Sequence, residues 1–372
     1  MQVENLIQDL ISRPQYSIPQ SEKEKLILQI LKAQIIDMAG KNRHLKSMYS
    51  KLMVNIPSIK KIADIPFIPV QMFKKFDLTT CNKADVVRTL KSSSTTGQNP
   101  SKISIDKITA SRQTKALTSI LSSYLGNKRR PFLVIDSKSQ NVQSFDLTAR
   151  GAAIRGLSTF AKSITYALKE TSNNKIELDI KEFKDFCEKY KGQDVYVFGF
   201  TYIIWTKLVQ ELKKLGKKTN IGFKSIKIFH SGGWKKLKDK SVSEQDFSAE
   251  VAKIFGTKAE NIFNFYGMAE QTGVIFIDCK EGFKHVPNFA DVIIRNPLTL
   301  EESSLNQPGP IEVVSVLGNS YPSQALLTED IGIVAGIDDC PCGRKGKYIK
   351  FKSRVEKAEI RGCGDTIEES ND

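Results

Sequence analysis

No stretch of this chain approaches the ~18 consecutive apolar residues that a membrane helix needs. Its N-terminus, MQVENLIQDLISRPQYS, lacks the basic start and apolar block of a secretory signal. A soluble cytoplasmic protein is the expectation. The G-x-x-x-x-G-K-[ST] phosphate loop is missing, as are internal repeats, low-complexity segments and any evident linker. Six cysteines in a cytosolic chain argue against a disulfide framework. The net charge of +15 is high, but the lysines fall in short clusters along the chain, such as Lys74–Lys75, Lys213–Lys214 and Lys235–Lys236. Basic helices, aromatic-basic ribonucleoprotein patterns and finger spacings are lacking. A solvated basic surface accounts for the charge, and nucleic acid is not expected as a partner. The cationic excess suits an enzyme that collects an anionic nucleotide and a carboxylate.

What is present is globular: hydrophobic residues make up 40% and charged residues 26% of 372, enough to bury a core in one lobed domain or two ordinary ones. Leu26, Ile27, Ile30, Leu31 and Ile35 recur at helical spacing within residues 1–60. The proline-broken IPFIPVQMF (65–73) reads as extended. Residues 85–106 read as two strands around a polar loop, followed by a helix ending at Gly126. Strands are expected at 131–136, 194–200, 226–230, 261–267 and 273–278, with a helix through Trp205, Leu208 and Leu212 after the second. Strands at 290–296, 311–316, 325–336 and 347–355 follow. An α/β core with a smaller, strand-rich β lobe results.

Four turns stand at expected strand ends, where α/β sheets bind ligands. Ser92, Ser93, Ser94, Thr95, Thr96 and Gly97 offer hydroxyl and backbone donors to a polyphosphate, or form a plain polar turn. His230-Ser231-Gly232-Gly233-Trp234 lets backbone approach a flat ligand, or is a tight turn only. In Tyr266-Gly267-Met268-Ala269-Glu270-Gln271 the aromatic ring can stack a base and Glu270 can hold Mg²⁺. Thr328-Glu329-Asp330 puts a carboxylate where ribose hydroxyls could bind, or is an exposed acidic turn.

In this order the segments resemble the adenylate-forming superfamily of acyl synthetases, and more closely the LuxE-type acyl-protein synthetases, related to phenylacetate-CoA ligases. IPFIPVQMFK, KSSSTTGQNPSKI, HSGGWKKL, YGMAEQTG and EIRGCGD carry the resemblance over almost the whole chain. It implies the α/β adenylate-forming fold with mixed sheets and a small β lobe, lacking the full C-terminal domain and its catalytic lysine. Expected parts are a helical and extended segment (1–84), an adenylation core with the β lobe (85–350), and a hinge with a short tail (351–372). Residues 92–97 become the phosphate loop, Ser231, Gly232 and Gly233 the adenine-side turn, and Tyr266, Gly267 and Met268 a nucleotide contact. Asp330 and Arg354 become ribose contacts, with Glu356 at the pivot. Ser94 departs from the family by replacing a glycine, and Ala269 by replacing a hydroxyl residue that touches the AMP phosphate.

The cysteines divide by position. Cys279 and His285 flank a short turn, and Cys340 and Cys342 follow a strand, so three thiols and an imidazole can make a closed structural Zn²⁺ site; four ordinary loop residues are the alternative. Phenylacetate-CoA-ligase-like proteins resemble the zinc arrangement. Cys81 and Cys187 read as packing residues. Cys363 lies between glycines beside Arg361, which favours a thiolate; an incidental loop cysteine is the alternative. The resemblance makes Cys363 the acyl acceptor. It implies ATP- and Mg²⁺-dependent activation of a carboxylic acid, suspected to be a fatty acid, with Glu270 and Cys363 as catalytic residues and an acyl reductase as the receiving partner. Alternatives are transfer to coenzyme A, a carrier protein or an amine in polysaccharide synthesis, or a non-catalytic nucleotide- or nucleic-acid-binding protein.

Overall fold

The computed structural model of the chain describes residues 2–91, 101–138, 146–171, 175–216, 221–234 and 241–354. The helical spacing near the N-terminus produces α1 (Gln2–Ser12), α2 (Gln20–Lys41) and α3 (Arg43–Lys51). The proline-rich segment yields β1 (Ile68–Pro69) and then a single helical turn, α4 (Met72–Lys75), so it is extended over less than its expected length. The hairpin β2 (Val86–Lys91) and β3 (Lys102–Asp106) leads into α5 (Lys107–Leu125), which stops before Gly126 at φ +68°.

Next come β4 (Arg130–Ser137), β5 (Asp146–Thr148), α6 (Ala149–Leu157), β6 (Ala161–Glu170), β7 (Ile176–Leu178) and α7 (Ile180–Lys189). Then follow β8 (Asp194–Phe200), α8 (Thr201–Ile203), α9 (Gln210–Lys214), β9 (Ser225–Ser231), α10 (Glu244–Phe255) and β10 (Ile262–Tyr266). Between α8 and α9 the helix expected through Trp205 widens into a π-helical stretch, Ile204–Val209, a form that often marks functional sites. The last third gives β11 (Phe276–Ile277), β12 (Lys284–His285), β13 (Ala290–Ile294), β14 (Gly309–Ser315), β15 (Ala325–Ile337) and β16 (Lys347–Arg354). The strand expected at 273–278 pairs only over Phe276–Ile277. Gly273 sits at φ +90°, and a Cβ there would lie 2.7 Å from the Gln113 backbone.

These elements form two compact units. Among the described residues, the first takes 2–124 and 267–354, and the second 125–266. The first unit is built on an antiparallel sheet of order β12-β16-β15-β14-β13, with β1 parallel to β15. Helix α2 buries Ile27, Ile30, Leu31, Ile35 and Met38 on one face, each worth roughly 1.5–3 kcal/mol relative to exposure. Its polar residues reach the sheet too: Gln20 Nε2 donates to Asp291 Oδ2 at 2.9 Å and Gln34 Nε2 to Val316 O at 2.9 Å.

In the second unit the strands run β10-β9-β8-β4-β6-β7, all parallel except β7. Val195, Tyr196, Val197 and Phe198 of β8 are all fully buried, as expected of a parallel strand covered on both faces. The chain lays β6 on one side of β4 and then β8, β9 and β10 in turn on the other. Such a reversal opens a crevice at the carboxyl ends of the strands.

Candidate functional site

The carboxyl ends of β8, β9 and β10 carry one group of polar residues of the second unit's sheet; the buried Asp136–Arg150 pair stands apart at the end of β4. Strand β9 ends at Ser231, and Gly232 follows at φ +85°, where an added Cβ would lie 3.0 Å from the Phe200 ring. Both features exclude a larger residue at that turn. Gly232 and Gly233 are exposed. Ser231 Oγ donates to Phe265 O at 2.8 Å, tying the turn to the residue before Tyr266. Beneath the turn His230 is fully buried, with Nδ1 2.9 Å from Thr201 Oγ1; the same hydroxyl lies 3.1 Å from Ser231 O. Trp234 packs edge-on against Trp205, ring centroids 6.0 Å apart. The structure therefore gathers Ser231, Gly232, Gly233 and Tyr266 at neighbouring strand ends. Sequence reasoning missed Thr201 entirely. The signal available was a hydroxyl residue directly after an apolar strand.

The rest of the Tyr266–Gln271 segment belongs to the first unit. Glu270 is buried in a short 3₁₀ turn, Ala269–Gln271. Gln271 Nε2 donates to Val313 O at 3.3 Å and to Ser323 O at 2.9 Å, which holds that turn to β14. Gly267 and Met268 precede it and are half-buried. Asp330 on β15 and Arg354 on β16 are direct cross-strand partners. Arg354 Nη2 is 3.2 Å from Glu329 Oε2, while its Nε is 3.9 Å from Asp330 Oδ1. Gln71 Nε2 donates to the other Glu329 oxygen at 2.6 Å. Glu329, not Asp330, takes the closer contact with the arginine. The expected phosphate loop (Ser92, Ser93, Ser94, Thr95, Thr96 and Gly97), the pivot Glu356 and the acyl acceptor Cys363 lie outside the described residues.

Cys279, His285, Cys340 and Cys342 come together in the first unit, their ligand atoms all within 4.8 Å of one another. Cys279 Sγ and Cys340 Sγ are 3.9 Å apart, and Cys342 Sγ is 3.2 Å from His285 Nε2. A tetrahedron with Zn–S bonds of about 2.3 Å has edges of about 3.8 Å. Two turns supply the ligands. In the first, Cys279 N donates to Phe283 O at 2.8 Å; in the second, Gly343, at φ +87°, donates to Cys340 O at 2.9 Å. Burial raises the Cys279 thiol, pushes the Cys340 thiol up to about 12, and pushes the His285 imidazole down to about 4. Neutral imidazole is the ligand form, and a dication takes buried thiols as thiolates. The set fits a metal ion. Arg344, just beyond, lies against both the Tyr16 and Tyr124 rings, 4.6 and 4.2 Å from their centroids. Cys81 and Cys187 are half-buried and outside this group.

Among the described residues no helix is long and apolar enough to cross a membrane. The model of the family described as acyl-protein synthetase, LuxE, matches residues 2–371. The long-chain-fatty-acid–luciferin-component ligase of Vibrio harveyi is 22% identical over 305 residues, covering 82% of this chain and 78% of that protein. A crystal structure of 2-hydroxyisobutyryl-CoA ligase with 2-HIB-AMP, in the postadenylation state, is similar at a TM-score of 0.67 and 14% identity, covering 91% of this chain and 69% of that one. The same ligase in an open conformation gives 0.65 at 14% identity, covering 92% and 77%. The fold is that of the adenylate-forming acyl-CoA ligases.

Proposed function

The chain belongs to the LuxE family of acyl-protein synthetases, AMP-forming acyl ligases, and from that premise we propose that it activates a long-chain fatty acid with ATP and then carries the acyl group on its own Cys363. The observation that carries the reading is the cluster of Ser231, Gly232 and Tyr266 at adjacent parallel strand ends, on a chain matched by the family over residues 2–371. The fatty acid is supported by the name of the Vibrio harveyi relative.

In the first half-reaction a carboxylate oxygen attacks the α-phosphorus of ATP. The bond to the β-phosphate bridging oxygen breaks, and pyrophosphate leaves. Tyr266 stacks on the adenine while Ser231, Gly232 and Gly233 line its edge and Gly267 and Met268 flank the nucleotide. Asp330 accepts from the ribose hydroxyls, and Arg354 donates to them. The hydroxyls and backbone N–H groups of Ser92, Ser93, Ser94, Thr95, Thr96 and Gly97 hold the phosphates. Glu270 would hold Mg²⁺, whose positive charge would offset the negative charge of the phosphates.

Adenylation turns a poor leaving oxygen into a good one. In the second half-reaction the Cys363 thiolate attacks the acyl carbon, the carbon–oxygen bond breaks, and AMP departs with the electron pair. The hinge around Glu356 brings the thiol over the adenylate. The thioester is then delivered to a partner such as an acyl reductase. Cys279, His285, Cys340 and Cys342 would hold Zn²⁺ in a structural role, because four protein ligands would leave no position for water.

Incubation with ATP and radiolabelled fatty acid tests the reading. The wild-type protein takes up covalent label that hydroxylamine releases. Cys363→Ser loses that label yet still forms acyl-adenylate. Label persisting in the mutant, or AMP release that requires added coenzyme A, would replace the carrier cysteine with a free acceptor.

A further inference from the structure

A buried histidine is costly unless its ring nitrogens find partners, and those of His230 reach two other elements. Nδ1 faces the Thr201 hydroxyl, and Nε2 lies 3.1 Å from Glu244 Oε1 at the start of α10, close enough for an ion pair although not aligned as a hydrogen bond. The imidazole also lies over the Phe247 ring, centroids 4.5 Å apart. Glu244 Oε2 accepts from Asn264 Nδ2 at 3.0 Å, and Asn264 is the β10 residue paired with His230. The single Thr201 proton has two acceptors within reach, His230 Nδ1 and Ser231 O. A continuous polar chain therefore runs Asn264–Glu244–His230–Thr201–Ser231. The Ser231 hydroxyl extends it to Phe265 O. It laces together the ends of β8, β9 and β10 beneath the exposed Gly232–Gly233 turn.

We propose that Thr201, His230 and Glu244 are positioning residues: a relay that fixes the Ser231–Gly233 turn and Tyr266 for a purine base and so sets nucleotide affinity and selectivity, not the chemical step. The proposal rests on the reading that this turn faces the nucleotide. Apolar packing alone would need neither a hydroxyl partner for Nδ1 nor that hydroxyl shared with the turn's first carbonyl.

The test is carboxylate-dependent pyrophosphate release by the full chain, with ATP and with GTP, beside thermal unfolding of each variant. Thr201→Val keeps the shape and removes the hydroxyl. It should raise KM for ATP about tenfold, the effect of one lost buried hydrogen bond, leave kcat within about twofold, and narrow the preference for ATP over GTP. Thr201→Ser should restore the wild-type values. Glu244→Gln, at a side chain 54% exposed and so tolerant of change, should move KM in the same direction by a smaller factor. Equal losses with ATP and GTP, a fall in kcat alone, or a serine variant as impaired as the valine one would overturn the relay. Tyr266→Ala separates the two readings. If it leaves KM for ATP unchanged, the turn does not face the nucleotide and both fall. If it raises KM while Thr201→Val does not, the relay alone falls.

Discussion

In the first unit Lys23, Asp291, Arg295, Glu312 and Lys347 all lie inside the protein, whereas the acidic, basic and imidazole side chains buried among the described residues of the second unit are the Asp136–Arg150 ion pair and His230. The contrast follows from how each sheet is covered. The middles of β4 (Phe132 to Ile135) and β8 (Val195 to Phe198) are buried hydrophobic runs, so Asp136, Thr201 and His230 stand at or just beyond strand ends. In the first unit α2 turns polar residues toward β13 and β16. Lys347 Nζ donates to Val292 O at 3.0 Å and lies 3.5 Å from both Asp291 Oδ1 and Glu302 Oε1. Arg295 Nε pairs with Glu312 Oε2 at 2.5 Å, and its other nitrogens donate to Leu300 O and Ala63 O. Charge and the Cys279–His285–Cys340–Cys342 cluster join distant segments in one unit; hydrophobic strands do so in the other.

The largest test of that contrast is Cys340→Ser. Bound zinc should fall from one per chain to none by atomic absorption, and the first unit should lose more than about 5 kcal/mol, since apparent binding energies of structural zinc run to about 10–16 kcal/mol. Both tryptophans, Trp205 and Trp234, belong to the second unit. Their fluorescence transition should shift far less than hydrogen-exchange protection across β15 and β16. Equal shifts by both probes would erase the distinction between the units.

Next in size is Arg295→Met. Left buried without its partner, Glu312 should cost about 3–5 kcal/mol at pH 8 by urea denaturation. Adding Glu312→Leu should recover most of the loss, because an apolar pair suits the same space. A double mutant as unstable as the single one would mean that the arginine acts through Leu300 and Ala63 instead.

The smallest expected effect is a pH dependence. Burial outweighs Arg295 and pushes the Glu312 carboxyl up to about 7, from 4.5. Between those values the folded chain holds a proton that the unfolded chain has released, so stability falls as pH rises through the window. The change should be at most on the order of 3 kcal/mol. Glu312→Gln should flatten that part of the profile. A wild-type profile that rises between pH 4.5 and 7 would reverse the assignment.

Much of the site was legible because it is written in short spacings. Cys279 with His285, and Cys340 with Cys342, stand at short spacings that the structure gathers into one cluster, and the glycines at 232 and 233 announced a turn in which Gly232 takes a positive φ. His230 was visible only as the residue before that turn; its burial and its partners Thr201 and Glu244 were not. Strand 273–278 was overread, since Gly273 serves close packing against α5 and not a strand. The π-helical turn at Ile204–Val209 leaves the apolar pattern of a helix nearly unchanged and so gave no warning.

By itself the sequence determined the elements: period-two and helical spacings, glycine stops and paired thiols act over a few residues, and their energetics are local. Only the tertiary structure decided which elements share a core. Gln20 meets Asp291 and Gln34 meets Val316 across more than two hundred and seventy residues, joining the N-terminal helices to the C-terminal sheet. A buried amide or charge declares its need for a partner in the sequence. Which distant group meets that need depends on how whole faces pack, and no local pattern carries that information.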